Sequence, residues 1–173
     1  MSERQPNDYA SPACSLSEAP DSYAFAQRLS AEETLALLDL LLECERAGAK
    51  ALRFFAGDEP PAAAGPLIAA QAGDEARYAA GLAREIRRLG GKPSPRTGDF
   101  FAKAKARQGW PARLDLLVRG QRWVETRIRE SLPLLADGAL ASFLQEMADT
   151  HRVNIAAAEA LLAALGGAPP RSG

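Results

Sequence analysis

Leu41-Leu42-Glu43-Cys44-Glu45-Arg46-Ala47-Gly48-Ala49 is the stretch on which the reading of the fold turns. At about 100° per residue, Leu38, Leu41, Leu42, Ala49, Leu52 and Ala56 share one face of a helix. Glu45 lies at the centre of that face. The remaining charged residues, Asp39, Glu43, Arg46, Lys50 and Arg53, fall on the opposite side. An ionised carboxylate inside an apolar core is costly unless something pairs with it. Glu45 therefore asks what the rest of the chain offers it.

Working outward, Ser30-Ala31-Glu32-Glu33 forms a capping box, and the helix it opens is expected to run to about Ala56 before Gly57. A second helix is expected from between Pro61 and Pro66 to Leu89, closed by Gly90-Gly91. Ile68, Gln71, Glu75, Tyr78, Leu82 and Ile86 lie on its inner face. Residues 90–110 make the longest link, with a short extra helix expected over Asp99 to Arg107. Trp110-Pro111 starts a third helix, proline being tolerated in a first turn. It carries Leu114, Leu117, Gln121, Val124, Glu125 and Ile128 inward as far as about Leu135, with Pro133 placed to shorten or kink it. Asp137 is the expected N-cap of a fourth helix from about Ala139 to Leu165, whose stripe holds Leu144, Met147, His151, Ile155 and Leu162. Four amphipathic helices with short first and third links imply an all-α antiparallel up-down four-helix bundle over residues 29–166. Residues 1–28 and 167–173 are polar, lack periodicity and are expected to be disordered tails.

Composition bounds the function. The chain has 173 residues, 47% hydrophobic and 25% charged, enough for one sizeable core. A net charge of −1 offers nothing to nucleic acid. No apolar run reaches membrane-spanning length, and no signal peptide is read at the N-terminus, so a cytoplasmic protein is expected. The two cysteines, Cys14 and Cys44, are too few for a disulfide framework. Trp110 and Trp123 leave a homo-oligomer surface open, with helix-edge packing the simpler account. The single histidine excludes a separate nucleophilic triad.

Each apolar stripe is broken near its middle by polar residues: Glu45, then Glu75, then Gln121 with Glu125, then His151. In an antiparallel arrangement these five share one depth. No lysine or arginine is expected on the same stripes. Two readings follow. A divalent transition metal would satisfy several oxygens and one imidazole together, and such donors suit iron, manganese or zinc. Alternatively the carboxyls share protons and hydrogen-bond Gln121, Tyr78, Asn154 and His151, a polar network without metal.

Four helices with inward carboxylates and histidine from alternate helices resemble the ferritin-like superfamily, which includes rubrerythrins and other di-iron carboxylate proteins. The segments around Glu45, Asp74-Glu75-Ala76-Arg77-Tyr78 and His151-Arg152-Val153-Asn154 are similar to a bacterial branch of it. That resemblance implies a pattern of Glu, ExxH, Glu and ExxH along the helices. Glu45, Glu75, Glu125 and His151 match it, whereas Tyr78 and Ala148 stand where a histidine and an acid belong. The resemblance thus implies a reduced site: Glu45, Glu75, Glu125 and His151 as metal ligands, Tyr78 and Gln121 beside them, and iron or manganese as cofactor, with a redox role. A structural or interaction bundle with a vestigial, metal-free site is the alternative. An oxygenase acting on a small molecule would need a cavity beside the metal.

Overall fold

The computed structural model describes residues 28–166. Apart from Arg28, the expected tails and Cys14 lie outside the described residues. Among the described residues there are five α-helices: α1 (Ala31–Ala56), α2 (Ala64–Arg88), α3 (Phe100–Lys105), α4 (Trp110–Ser131) and α5 (Gly138–Gly166). No strand occurs among the described residues.

Local chemistry sets the helix ends. The Ser30 hydroxyl accepts from the Glu33 backbone N–H, and the Glu33 carboxylate accepts from the Ser30 N–H at 2.8 Å. α2 ends in a Schellman motif. Gly91 N–H donates to Ile86 O and Gly90 N–H to Arg87 O, while Gly90 turns left-handed at φ 80°. Asp137 Oδ1 accepts from the N–H groups of Ala139 and Leu140 at the start of α5. Pro133 shortens the third long helix: α4 stops at Ser131, and Leu132–Leu134 tighten into a 3₁₀ turn. Leu134 O then accepts from Leu29 N–H, tying the entry of α1 to that turn.

Packing reveals the direction of each helix. One apolar cluster joins Leu38, Leu41 and Leu42 of α1 to Tyr78, Leu82 and Ile86 of α2, and Val124 and Ile128 of α4 to Leu140 and Leu144 of α5. A second joins Ala51, Leu52 and Phe55 to Ile68 and to Leu114 and Leu117, with Leu161 and Leu165 packed against it. The early half of α1 thus meets the late half of α2, and α4 and α5 pair likewise, so both hairpins are antiparallel. The polar residues of the four stripes sit between the two clusters.

Two departures from the expected solvated faces stand out. Asp39, Glu43 and Arg46, on the outer side of α1, strap down the link after α2. Ser94 N–H donates to Asp39 at 2.8 Å, Ser94 Oγ to Glu43 at 2.6 Å, and Arg46 to Ser94 O. Contrary to the expected absence of inner-face cations, Arg113 is buried. It pairs with Asp58 and packs over Phe55 and Trp110, at the α4 start, well away from the mid-helix acids.

Candidate metal centre

The two hairpins bring Glu45, Glu75, Gln121 and His151 to one buried place. Glu45 is 0% exposed and His151 2%. Gln71 and Asn154 join them, both buried, one helical turn from Glu75 and His151 respectively.

A backbone carbonyl fixes the polarity of this group. Asn154 O can only accept, and it takes Gln71 Nε2 at 2.9 Å. Gln71 Oε1 therefore accepts from Gln121 Nε2 at 3.2 Å, and Gln121 Nε2 also reaches Glu75 Oε1 at 3.4 Å. Gln121 Oε1 is left facing His151 Nδ1 at 3.1 Å, so Nδ1 carries the ring proton. In a neutral ring the other nitrogen, Nε2, is then a bare lone pair. It lies 3.3 Å from Glu45 Oε1.

Electrostatics makes that contact unusual. Burial holds His151 below the ordinary histidine range, against the opposing pull of Glu75, so the ring is neutral at pH 7. Burial also pushes the Glu45 carboxyl up to about 8. Glu75 stands well above the usual carboxylate range, first through burial and then through the charge of Glu45. With both acids ionised, neither Glu45 oxygen nor His151 Nε2 has a hydrogen-bond donor; a proton on either acid bonds the Glu45 and Glu75 carboxyls to each other. Two lone pairs facing each other in a dry interior repel, so either a proton or a cation belongs between them.

Gly48 makes room for the second acid. A Cβ there would lie 2.6 Å from Glu75 Oε2 and 2.8 Å from its carboxyl carbon. Gly48 sits three residues after Glu45, on the turn that faces α2, and lets the carboxyl approach the α1 backbone.

A cavity of about 410 Å³ opens onto this group. It runs between α1, α3 and α4, with Leu40, Phe100, Leu117 and Val124 among its walls, and Glu45, Glu75, Gln121 and His151 line it. Gly120 admits α3, for a Cβ there would meet Phe100 at 2.5 Å. Cys44 also lines the cavity, and burial pushes its thiol up to about 12, so it remains an un-ionised thiol.

Two expected participants have their polar atoms bound outside this group, although the Glu125 charge still acts on the His151 ring. Glu125 is half-buried, one turn along α4 from Gln121, and its carboxylate accepts from Arg129 Nε at 2.9 Å. An arginine four residues on draws it toward the helix surface. The Tyr78 ring stands 6.2 Å from the His151 ring, but its hydroxyl bonds Thr150 and Arg77 at 2.6 and 2.9 Å, turned from the cavity. Gln71 was visible in the sequence only as a polar residue on the α2 stripe. Gly48 carried no signal beyond its place on α1.

Donor chemistry suits a transition metal. Two ligands about 2.1 Å from one ion at tetrahedral or octahedral angles lie about 3.0–3.4 Å apart, and Glu45 Oε1 and His151 Nε2 have that spacing. The His151 Nδ1–H bond to Gln121 is the outer contact that orients a ligating histidine. Yet among the described residues no three His, Cys, Asp or Glu side chains are gathered to hold a metal as they stand. Glu75 Oε1 faces Gln121 and its carboxyl lies over Gly48.

An all-α fold with a buried Glu–Glu–His–Gln group defines the class of protein. Within it, the chain belongs to the family described as a domain of unknown function, DUF6306, whose model matches residues 32–160. No curated protein and no solved structure matches the chain. Among the described residues, no helix is long and apolar enough to cross a membrane.

Proposed function

We propose that this protein is a ferritin-like antiparallel four-helix bundle that binds one transition-metal ion, iron or manganese, through Glu45, Glu75 and His151. One observation carries the reading: Glu45 Oε1, Glu45 Oε2 and His151 Nε2 are buried, side by side and, with the acids ionised, without a donor. Each unsatisfied buried acceptor costs about 1–3 kcal/mol, and a bound cation would relieve all three together. Gln121 would orient His151, and Gly48 would hold Glu75 within reach. Such an ion would supply Lewis acidity or, as iron or manganese, one-electron redox chemistry. Glu125 and Tyr78 fall outside the revised ligand set.

The raised Glu45 and Glu75 carboxyls favour a second reading: two protonated acids and a neutral histidine that set helix register without metal. Titration of Mn(II) into full-length protein stripped with EDTA separates the two. The metal reading predicts about one site per chain, lost in His151→Ala while helicity by circular dichroism is kept. Wild-type protein that takes up no Mn(II) and no Fe(II), or His151→Ala with unchanged affinity, would overturn it.

A further inference from the structure

We propose that the cavity between α1, α3 and α4 receives a primary alkylammonium ion, its carbon chain along the walls and its head on Glu45 and His151. The proposal rests on reading these buried acceptors as a cation site, but it needs no metal.

The head is identified by what the floor lacks. With Glu45 ionised, its Oε1 and Oε2 and His151 Nε2 are three buried acceptors without donors. A primary ammonium carries three N–H donors and one positive charge, so the Glu45 carboxyl releases its proton to solvent as the amine binds, each acceptor gains a donor and the carboxylate gains a counter-charge. No lysine or arginine among the described residues occupies that role. Among the described residues, the lysine and arginine side chains lining the cavity, Lys103 and Arg119, are more than half exposed and already paired with Asp99 and Asp115, each at 2.8 Å. An alcohol brings one donor and leaves acceptors bare. A carboxylate would meet Glu45 and Glu75 with like charge. The body follows from the walls: Leu40, Ala47, Leu117 and Val124 are aliphatic, and about 410 Å³ is ample for a short alkyl chain.

Hexylammonium, 1-hexanol and hexanoate share one apolar body and differ in the head. Calorimetric titration of each into EDTA-stripped full-length protein should show hexylammonium binding at least about tenfold tighter than 1-hexanol, with no heat from hexanoate. In Glu45→Gln, which keeps the shape and removes the charge, hexylammonium should fall to the affinity of 1-hexanol. His151→Ala should weaken hexylammonium too, so a folding failure of one variant leaves the other to decide, foldedness being read by circular dichroism. Equal affinity of the amine and the alcohol for wild-type protein overturns the proposal. So does an amine preference that survives in a folded Glu45→Gln or is undiminished in a folded His151→Ala. Mn(II) titrated into the same samples separates the readings. Mn(II) uptake without amine binding overturns the amine site alone, and amine binding without Mn(II) or Fe(II) uptake overturns the metal alone. If each binds, the shared atoms require that hexylammonium and Mn(II) compete.

Discussion

Glu45 and His151 make opposite demands on pH. In the unfolded chain the Glu45 carboxyl titrates at its ordinary 4.5, whereas folded it does so at about 8. The folded state therefore keeps a proton that the unfolded state has released. That contribution is full below 4.5 and is lost as pH rises through 8. His151 works from the acid side: below its ordinary 6.5 the unfolded ring gains a proton that the buried ring resists, so stability falls there. Melting temperatures of the metal-free protein should thus decline toward pH 9, and Glu45→Gln should flatten that decline without removing it, since Glu75 is raised as well. An unchanged alkaline slope in Glu45→Gln would contradict the assignment. Gly48→Ala probes the neighbouring acid. A methyl 2.6 Å from Glu75 Oε2 must displace the carboxyl, costing about 1–3 kcal/mol in denaturant unfolding and weakening Mn(II) uptake. At this scale the sequence was partly legible. Glu45, Glu75 and His151 announced themselves by interrupting leucine stripes. The positions of Glu125 and Tyr78 did not, because a helical wheel shows which side a Cα faces and not which partner a long side chain takes. Arg129 and Thr150, one turn from or across from them, decide that.

Between elements, the link after α2 does more than connect. Glu43 and Asp39 anchor Ser94, and Arg96 adds an ion pair to Glu43 at 2.9 Å, so the chain leading to α3 is held against α1 beside the cavity. Glu43→Ala removes the acceptor for Ser94 Oγ and Arg96. It should cost about 1–3 kcal/mol and speed amide hydrogen exchange over residues 94–98, with little change in the middle of α4. Exchange that is unchanged in that link would show the strap to be inert. Helix ends were the most legible part of the sequence, because caps are written locally: Ser30 with Glu33, Gly90 with Gly91, Asp137, and Pro133 as a stop. The strap was not, for it joins residues 55 positions apart and its members read equally well as a solvated face. Arg113 escaped for a similar reason: aromatic partners from α1 and the α4 start, together with Asp58, make burial of a guanidinium tolerable.

Over the whole molecule, two apolar clusters enclose a layer of Glu, Gln, His and Asn, and a cavity leads to that layer from the side where α3 inserts. A core built for stability alone would gain from leucine in those places, since buried acids and unpaired acceptors subtract from it. The proposed metal explains their presence by a single cation that no other described residue supplies. Elemental analysis of the full-length, untagged protein, purified from cells grown with added iron and manganese, tests that claim most directly. A metal held by Glu45 and His151 requires about one equivalent of iron or manganese per chain, reduced at least about tenfold in His151→Ala. Wild-type protein carrying less than about a tenth of an equivalent of any transition metal would contradict it.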